Sequence, residues 1–192
     1  RWDLTKGFTQ NCPYTGSGSV QDACTNNYQA DRVAKLKYYA DLQWNIDPNF
    51  YVIFEHLGVG GSYNEEVEWA NYRKTGDADG ISKGIMQWRK MTDSYANFLK
   101  GISSNLSGVS DATDRFIGYA ESHDEERVVY KALTETTPSG SQTINNLPKV
   151  LKRLSAMGAL HLLVPGPKMI YHFGDLGYDD SIFTCSDGTV NT

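Results

Sequence analysis

The chain has 192 residues, of which 40% are hydrophobic and 12% aromatic, enough to bury a substantial core. Its formal net charge is -5, and Lys and Arg are not clustered anywhere, so nucleic acid is excluded as a natural partner. No stretch of about 18 apolar residues occurs, so no membrane span is expected.

Taken along the chain, helical and strand signals alternate. Arg1-Trp2-Asp3 opens it, and residues 10–27 are predicted as loop because Asn, Pro, Gly, Ser and Thr dominate there. Cys12 and Cys24 flank the Gly/Ser-rich part of this loop, while Cys185 stands apart. A Cys12–Cys24 bridge and three separate thiols both fit the pattern. Tyr28 to Trp44 is predicted as an amphipathic helix, with Val33, Leu36, Tyr39, Ala40 and Trp44 near the 3.6-residue period. Phe50 to Phe54 is a continuous apolar run, predicted as a strand buried on both faces. Asn64 to Tyr72 is a short predicted helix, on which Glu65, Glu66 and Glu68 are expected to form a solvated face.

Gly84 to Trp88 is the next strand candidate, and Thr92 to Ile102 the next helix, with Thr92 or Asp93 as its N-cap. Arg115 to Ala120 is a strand candidate and Glu125 to Thr134 a helix. Leu147 to Val164 gives the clearest helical pattern; Pro148 sits near its start, and Pro165-Gly166-Pro167 ends it. Met169 to Tyr171 is the last strand candidate. Buried strands alternating with helices predict an α/β fold with a parallel sheet. The spacing fits barrel units of about 30 residues: Glu55 to Asp124 spans 69 positions, and Asp3 to Glu55 spans 52, one unit plus the long loop.

Three acids then fall at or just after strand ends: Asp3, Glu55 and Asp124. Retaining glycosidases need an ionised nucleophile and a protonated acid in different environments. Arg1 stands two positions before Asp3 and so faces the same way on a strand, where its charge would keep Asp3 ionised. Glu55 follows five apolar residues, whose desolvation would help it hold a proton. Asp124, preceded by His123, is placed to bind sugar hydroxyls. Trp69, Tyr72 and Trp88 are expected to fill core rather than line a sugar groove, Trp2 to point into the helix layer, and His161 to be a core residue. His56 and His172 lie near the presumed mouth.

These residues carry a family resemblance. Arg1-Trp2-Asp3-Leu4-Thr5-Lys6-Gly7 resembles the fourth-strand motif of the α-amylase family, glycoside hydrolase family 13. Val52-Ile53-Phe54-Glu55-His56 resembles its fifth-strand motif, and Tyr119-Ala120-Glu121-Ser122-His123-Asp124 its seventh. Pro167 to Asp175 resembles the eighth strand and its exit. The resemblance implies the second half of a single (β/α)8 TIM barrel over residues 1–192, with no separate second domain. It implies Asp3 as nucleophile, Glu55 as acid/base and Asp124 as transition-state stabiliser. Arg1, Lys6, His123 and His56 become substrate-binding residues.

The implied activity is retaining hydrolysis of α-1,4-glucans of the starch or glycogen type. Ser122 to Glu125 is closer to glucan branching enzymes, so branching or glucanotransfer is the alternative, and a catalytically silent carbohydrate-binding barrel the second. The implied partners are an α-glucan and the N-terminal half of the barrel, without which these residues alone are expected to be inactive. The resemblance implies no cofactor or metal site within the chain; calcium is possible in the full-length protein, where the Gly7 carbonyl would join ligands upstream of Arg1. A polysaccharide substrate would favour an extracytoplasmic site, secreted or periplasmic, whereas a storage glucan would favour the cytoplasm.

Overall fold

In the computed structural model of the protein, residues 1–75, 81, 83–101, 115–135, 146–163 and 166–191 are described. Among them a 3-10 turn, Thr5–Gly7, is followed by α1 (Gly18–Thr25), α2 (Ala30–Ile46), β1 (Ile53–Phe54) and α3 (Gly61–Asn71). Next come β2 (Met86–Lys90), α4 (Thr92–Lys100), β3 (Phe116–Tyr119), α5 (Val128–Thr134), α6 (Leu147–Leu163) and β4 (Lys168–Met169). The strands form a four-stranded parallel sheet in the order β1-β2-β3-β4, so the α/β class holds. No helix among the described residues is long and apolar enough to cross a membrane.

Contacts divide the chain into two units, Arg1–Trp88 with Thr113–Ile117, and Arg89–Ala112 with Gly118–Thr192. In the first, Ile53 pairs with Met86 and Phe54 with Gln87, and Trp2 forms a parallel bridge to Phe54. The Trp2 amide donates to the Ile53 carbonyl at 2.8 Å, and the Glu55 amide to the Trp2 carbonyl at 2.9 Å. The segment just before Asp3 is therefore a strand-like neighbour of β1. The core of this unit is Val33, Leu36, Ala40 and Trp44 of α2, Val52 and Phe54, Trp69 and Ile85. Trp2 packs against it, stacked on Tyr39 with ring centroids 5.1 Å apart, as its alternation with Arg1 and Asp3 predicts.

The second unit is built on Gly118 pairing with Lys168 and Tyr119 with Met169. Its core joins Met91, Tyr95 and Leu99 to Val128, Val129 and Ala132 of α5, and to Val150, Leu154 and Met157 of α6. His161 is a core residue here, with Nδ1 2.9 Å from the Tyr95 hydroxyl. Burial lowers the affinity of the His161 ring for a proton and pushes the Tyr95 hydroxyl up to about 12.

Several boundaries differ from expectation for physical reasons. Residues 10–27 are not all loop: α1 forms inside them, beside the Cys12–Cys24 disulfide. Phe50 and Tyr51 are exposed, so only the end of the run Phe50 to Phe54 is buried strand. α4 starts after Met91 with no side-chain cap, although Thr92 and Asp93 stand beside it, and ends at Gly101, whose φ of 85° suits a left-handed cap. Ile102, the loop before Arg115, Val164 and Pro165 lie outside the described residues.

The disulfide closes 12 positions of chain around α1. Replacing Cys12 and Cys24 by Ser is expected to lower stability by about 3 kcal/mol, mostly by freeing the unfolded chain. Urea unfolding of the two forms checks this; equal midpoints would show that the loop is held by its hydrogen bonds alone.

Candidate active site

Two acids stand side by side where parallel segments end. Asp3 follows Trp2 and Glu55 follows β1, and Trp2 and Phe54 are bridged neighbours. Arg1 joins the two: its Nη2 lies 3.2 Å from Asp3 Oδ1 and its Nη1 2.8 Å from Glu55 Oε1. The guanidinium is also 5.1 Å from the Trp88 ring centroid, a cation–π contact that fixes its plane. The two carboxylates come within 4.8 Å of each other. Their surroundings differ sharply, since the Asp3 side chain is 62% exposed and that of Glu55 only 4%.

The turn after Asp3 is anchored from below. Leu4 adopts φ 46°, ψ 40°, a left-handed conformation that bends the chain into the 3-10 turn Thr5–Gly7. The Thr5 amide donates to the Glu55 carbonyl at 3.1 Å, and the Thr5 hydroxyl lies 3.1 Å from His56 Nδ1. Lys6 is half-buried; its ammonium donates to Asn26 Oδ1 at 2.9 Å and lies 3.6 Å from Asp22. Lys6 is thus tied to the end of α1 and the loop that follows.

His56 sits inside the protein, not at the surface where a sugar contact was expected. Its side chain is fully buried, edge-on to Trp69 at 4.7 Å, with Nε2 3.6 Å from Glu65 Oε2. Burial first, then the nearby Arg32 and Lys6 cations, push its imidazole from 6.5 down to about 3. The ring is therefore neutral.

Beneath His56 lies a buried ion pair that sequence reasoning missed. Arg32 Nε donates to Glu65 Oε2 at 2.8 Å and Nη2 to Glu65 Oε1 at 2.6 Å, both side chains fully buried. The remaining Arg32 hydrogens go to the carbonyls of Lys6, Thr25 and Asn27. The expected solvated face Glu65, Glu66 and Glu68 is thereby corrected. Glu65 and Glu66 are buried, Glu66 takes the Gly58 amide at 2.5 Å, and Glu68 binds Lys37 and Tyr28. A readable signal existed: Ser62, Glu65, Glu66, Trp69 and Ala70 share one helical stripe, as do Arg32, Leu36 and Ala40. Both charges fall on the apolar side of their helices.

In the second unit, Asp124 is an exposed carboxylate, 68% accessible, with Oδ2 3.0 Å from His123 Nε2. The Asp124 amide is held by the Ser122 hydroxyl at 3.2 Å. Glu121, buried behind them, takes the Val128 amide at the start of α5 and a bond from Arg127, each at 2.9 Å. Arg127 also donates to the His172 carbonyl and lies against the Tyr171 and Tyr178 rings.

No protein-family model and no curated protein matches the chain.

Two stability predictions follow from this arrangement. Arg32→Ala leaves Glu65 buried without its partner and is expected to lower stability by about 3–5 kcal/mol, measured by chemical denaturation. His56 gives a pH signature. The unfolded ring takes a proton near pH 6.5, the folded one only near 3, so the unfolded state binds the extra proton between these values. The contribution of neutral His56 is whole above about pH 6.5, declines by about 1.4 kcal/mol per pH unit below it, and is spent by about pH 3. In His56→Gln that part of the acid slope should vanish; an unchanged slope would mean that other groups cause it.

Proposed function

We propose that the chain carries the catalytic acids of a retaining glycoside hydrolase acting on α-1,4-glucans of the starch or glycogen type. In this reading its parallel strands belong to the second half of a (β/α)8 barrel. The observation that carries the reading is the Asp3–Arg1–Glu55 group at neighbouring strand exits. Retaining enzymes hold their two carboxyl groups about 5–5.5 Å apart, inverting ones about 6.5–9.5 Å. An approach of the Asp3 and Glu55 oxygens to within 4.8 Å supports the retaining geometry.

The exposures support the division of roles. Asp3 is open to an incoming sugar, and Glu55 is sheltered beside it. Asp3 attacks the anomeric carbon and forms a glycosyl ester, while the bond to the leaving oxygen breaks and that oxygen takes the Glu55 proton. Glu55, now a carboxylate, removes a proton from water, whose oxygen attacks the same carbon and releases Asp3. The resemblance gives Asp124 and His123 the task of gripping the distorted ring, and Lys6 that of meeting the sugar beyond the cleaved bond. The ammonium of Lys6, held at Asn26, is placed on the turn that follows the nucleophile.

The test is covalent trapping in the complete gene product with a fluorinated α-glucosyl fluoride, which slows breakdown of the glycosyl-enzyme. Peptide mass spectrometry is expected to find a hexose ester on Asp3, and product analysis then separates hydrolysis from transfer. Glu55→Gln should lose activity by about 10²–10⁴-fold with natural glucans. An unmodified Asp3 in a preparation that turns over glucan would remove the assignment.

A further inference from the structure

The two acid-bearing exits are linked by one short side chain. Thr5, in the turn after Asp3, is fully buried, and its amide donates to the carbonyl of Glu55. Its hydroxyl meets Nδ1 of His56, the residue directly after Glu55. His56 faces Glu65, Glu65 takes two bonds from Arg32, and Arg32 donates to the carbonyl of Lys6, the residue directly after Thr5. The contacts therefore run from Thr5 through His56, Glu65 and Arg32 to Lys6, the His56–Glu65 step being a 3.6 Å approach without a hydrogen bond. Packed in this way, the two exits are coupled through the side chains between them.

A proton on Nε2 would face Glu65 Oε2, 3.6 Å away and beyond hydrogen-bond reach, and the Ser62 backbone also bonds the ring. In that tautomer Nδ1 accepts from the Thr5 hydroxyl, 3.1 Å away.

We propose, on the glucan-hydrolase reading above, that Thr5 is a positioning residue: its hydroxyl, through His56, sets the spacing of Asp3 and Glu55. The buried Arg32–Glu65 pair is the anchor of this link. Thr5 and His56 act through the two acids and do not touch the sugar. The small distance between the carboxylates makes this spacing consequential, because a displacement of about 1 Å at a reacting group can lower the rate about 100-fold.

The experiment compares wild type, Thr5→Val and Thr5→Ser in the complete gene product. Valine keeps the shape and removes the hydroxyl; serine keeps the hydroxyl. Steady-state kinetics on a soluble maltooligosaccharide should show kcat lowered about 10- to 100-fold in Thr5→Val, with KM within about threefold and Thr5→Ser close to wild type. Two readouts do not depend on turnover. A ¹⁵N spectrum of wild type should show His56 protonated on Nε2, and ¹³C titration of the Glu55 carboxyl should have its midpoint displaced in Thr5→Val and restored in Thr5→Ser.

Wild-type kcat together with an unmoved Glu55 midpoint in Thr5→Val would overturn the proposal, as would a proton on Nδ1 of His56. Failure of wild type to form the Asp3 ester would instead sink the glucan reading, and the Thr5 link would still be decided by the His56 spectrum and the Glu55 titration. If Thr5→Val does not fold, Thr5→Ala decides in its place: a displaced Glu55 midpoint supports the link, and an unmoved one refutes it.

Discussion

The first unit depends on a salt bridge with no water around it. Taking a guanidinium and a carboxylate out of water is unfavourable, and their attraction compensates only when every hydrogen finds an acceptor. Arg32 meets that condition. Its planar fork grips Glu65 along one edge, and its other nitrogens serve the carbonyls of Lys6, Thr25 and Asn27. Those carbonyls lie in the short 3-10 turn, at the last residue of α1 and just beyond it, where helical partners run out, so the guanidinium supplies the missing donors. Glu65 has a third duty. It accepts the Gln29 amide at 2.6 Å at the N-cap position of α2, where the Gln29 side chain makes no cap of its own. One ion pair thus starts α2, fixes α3 against it and holds the turn that follows Asp3.

The second unit uses a comparable device with different residues. Glu121 follows the end of β3 closely and caps α5 through the Val128 amide, and Arg127 covers its other oxygen. Arg127 is in turn flanked by Tyr171 and Tyr178 and reaches the carbonyl of His172. Gly174 belongs to the same construction, because a Cβ there would come within 2.8 Å of Glu121 Oε2. In both units a buried acid holds structure together and an exposed acid stands in the same unit: Glu65 with Asp3, Glu121 with Asp124.

This division explains what the sequence could and could not disclose. Strand-like runs ending in acids were legible, because an apolar run that stops at a carboxylate marks an element's end. The long helices were legible from their periodicity, since α2 and α6 fall within a residue or two of the predicted limits. α1 was not, because Gly18 and Ser19 argue against a helix and the Cys12 bridge, a contact across 12 positions, supports one. The burial of Phe50 and Tyr51 was overestimated because composition alone cannot show where a strand's neighbours stop. The roles of Glu65 and Arg32 were hidden by charge: a hydrophobic pattern that skips charged residues passes over the ones that are buried in pairs. His56 was misplaced for the related reason that its partners, Thr5 and Glu65, are distant along the chain from one another.

Arg1 gives the proposed reaction a feature that two separate cations would not. In the first step a negative charge disappears from Asp3 as it becomes an ester, and an equal charge appears on Glu55 as it gives up its proton. The charge moves between two groups less than 5 Å apart, and the guanidinium has one nitrogen on each. It stabilises the reactant through Nη2 and the intermediate through Nη1 without moving, which is the preorganisation that makes electrostatic catalysis effective. A lysine ammonium, a single point of charge, would have to favour one carboxylate over the other. The Trp88 face and the backbone bonds between Trp2 and Ile53 hold that fork still. The second step reverses the transfer, and the same fork serves again.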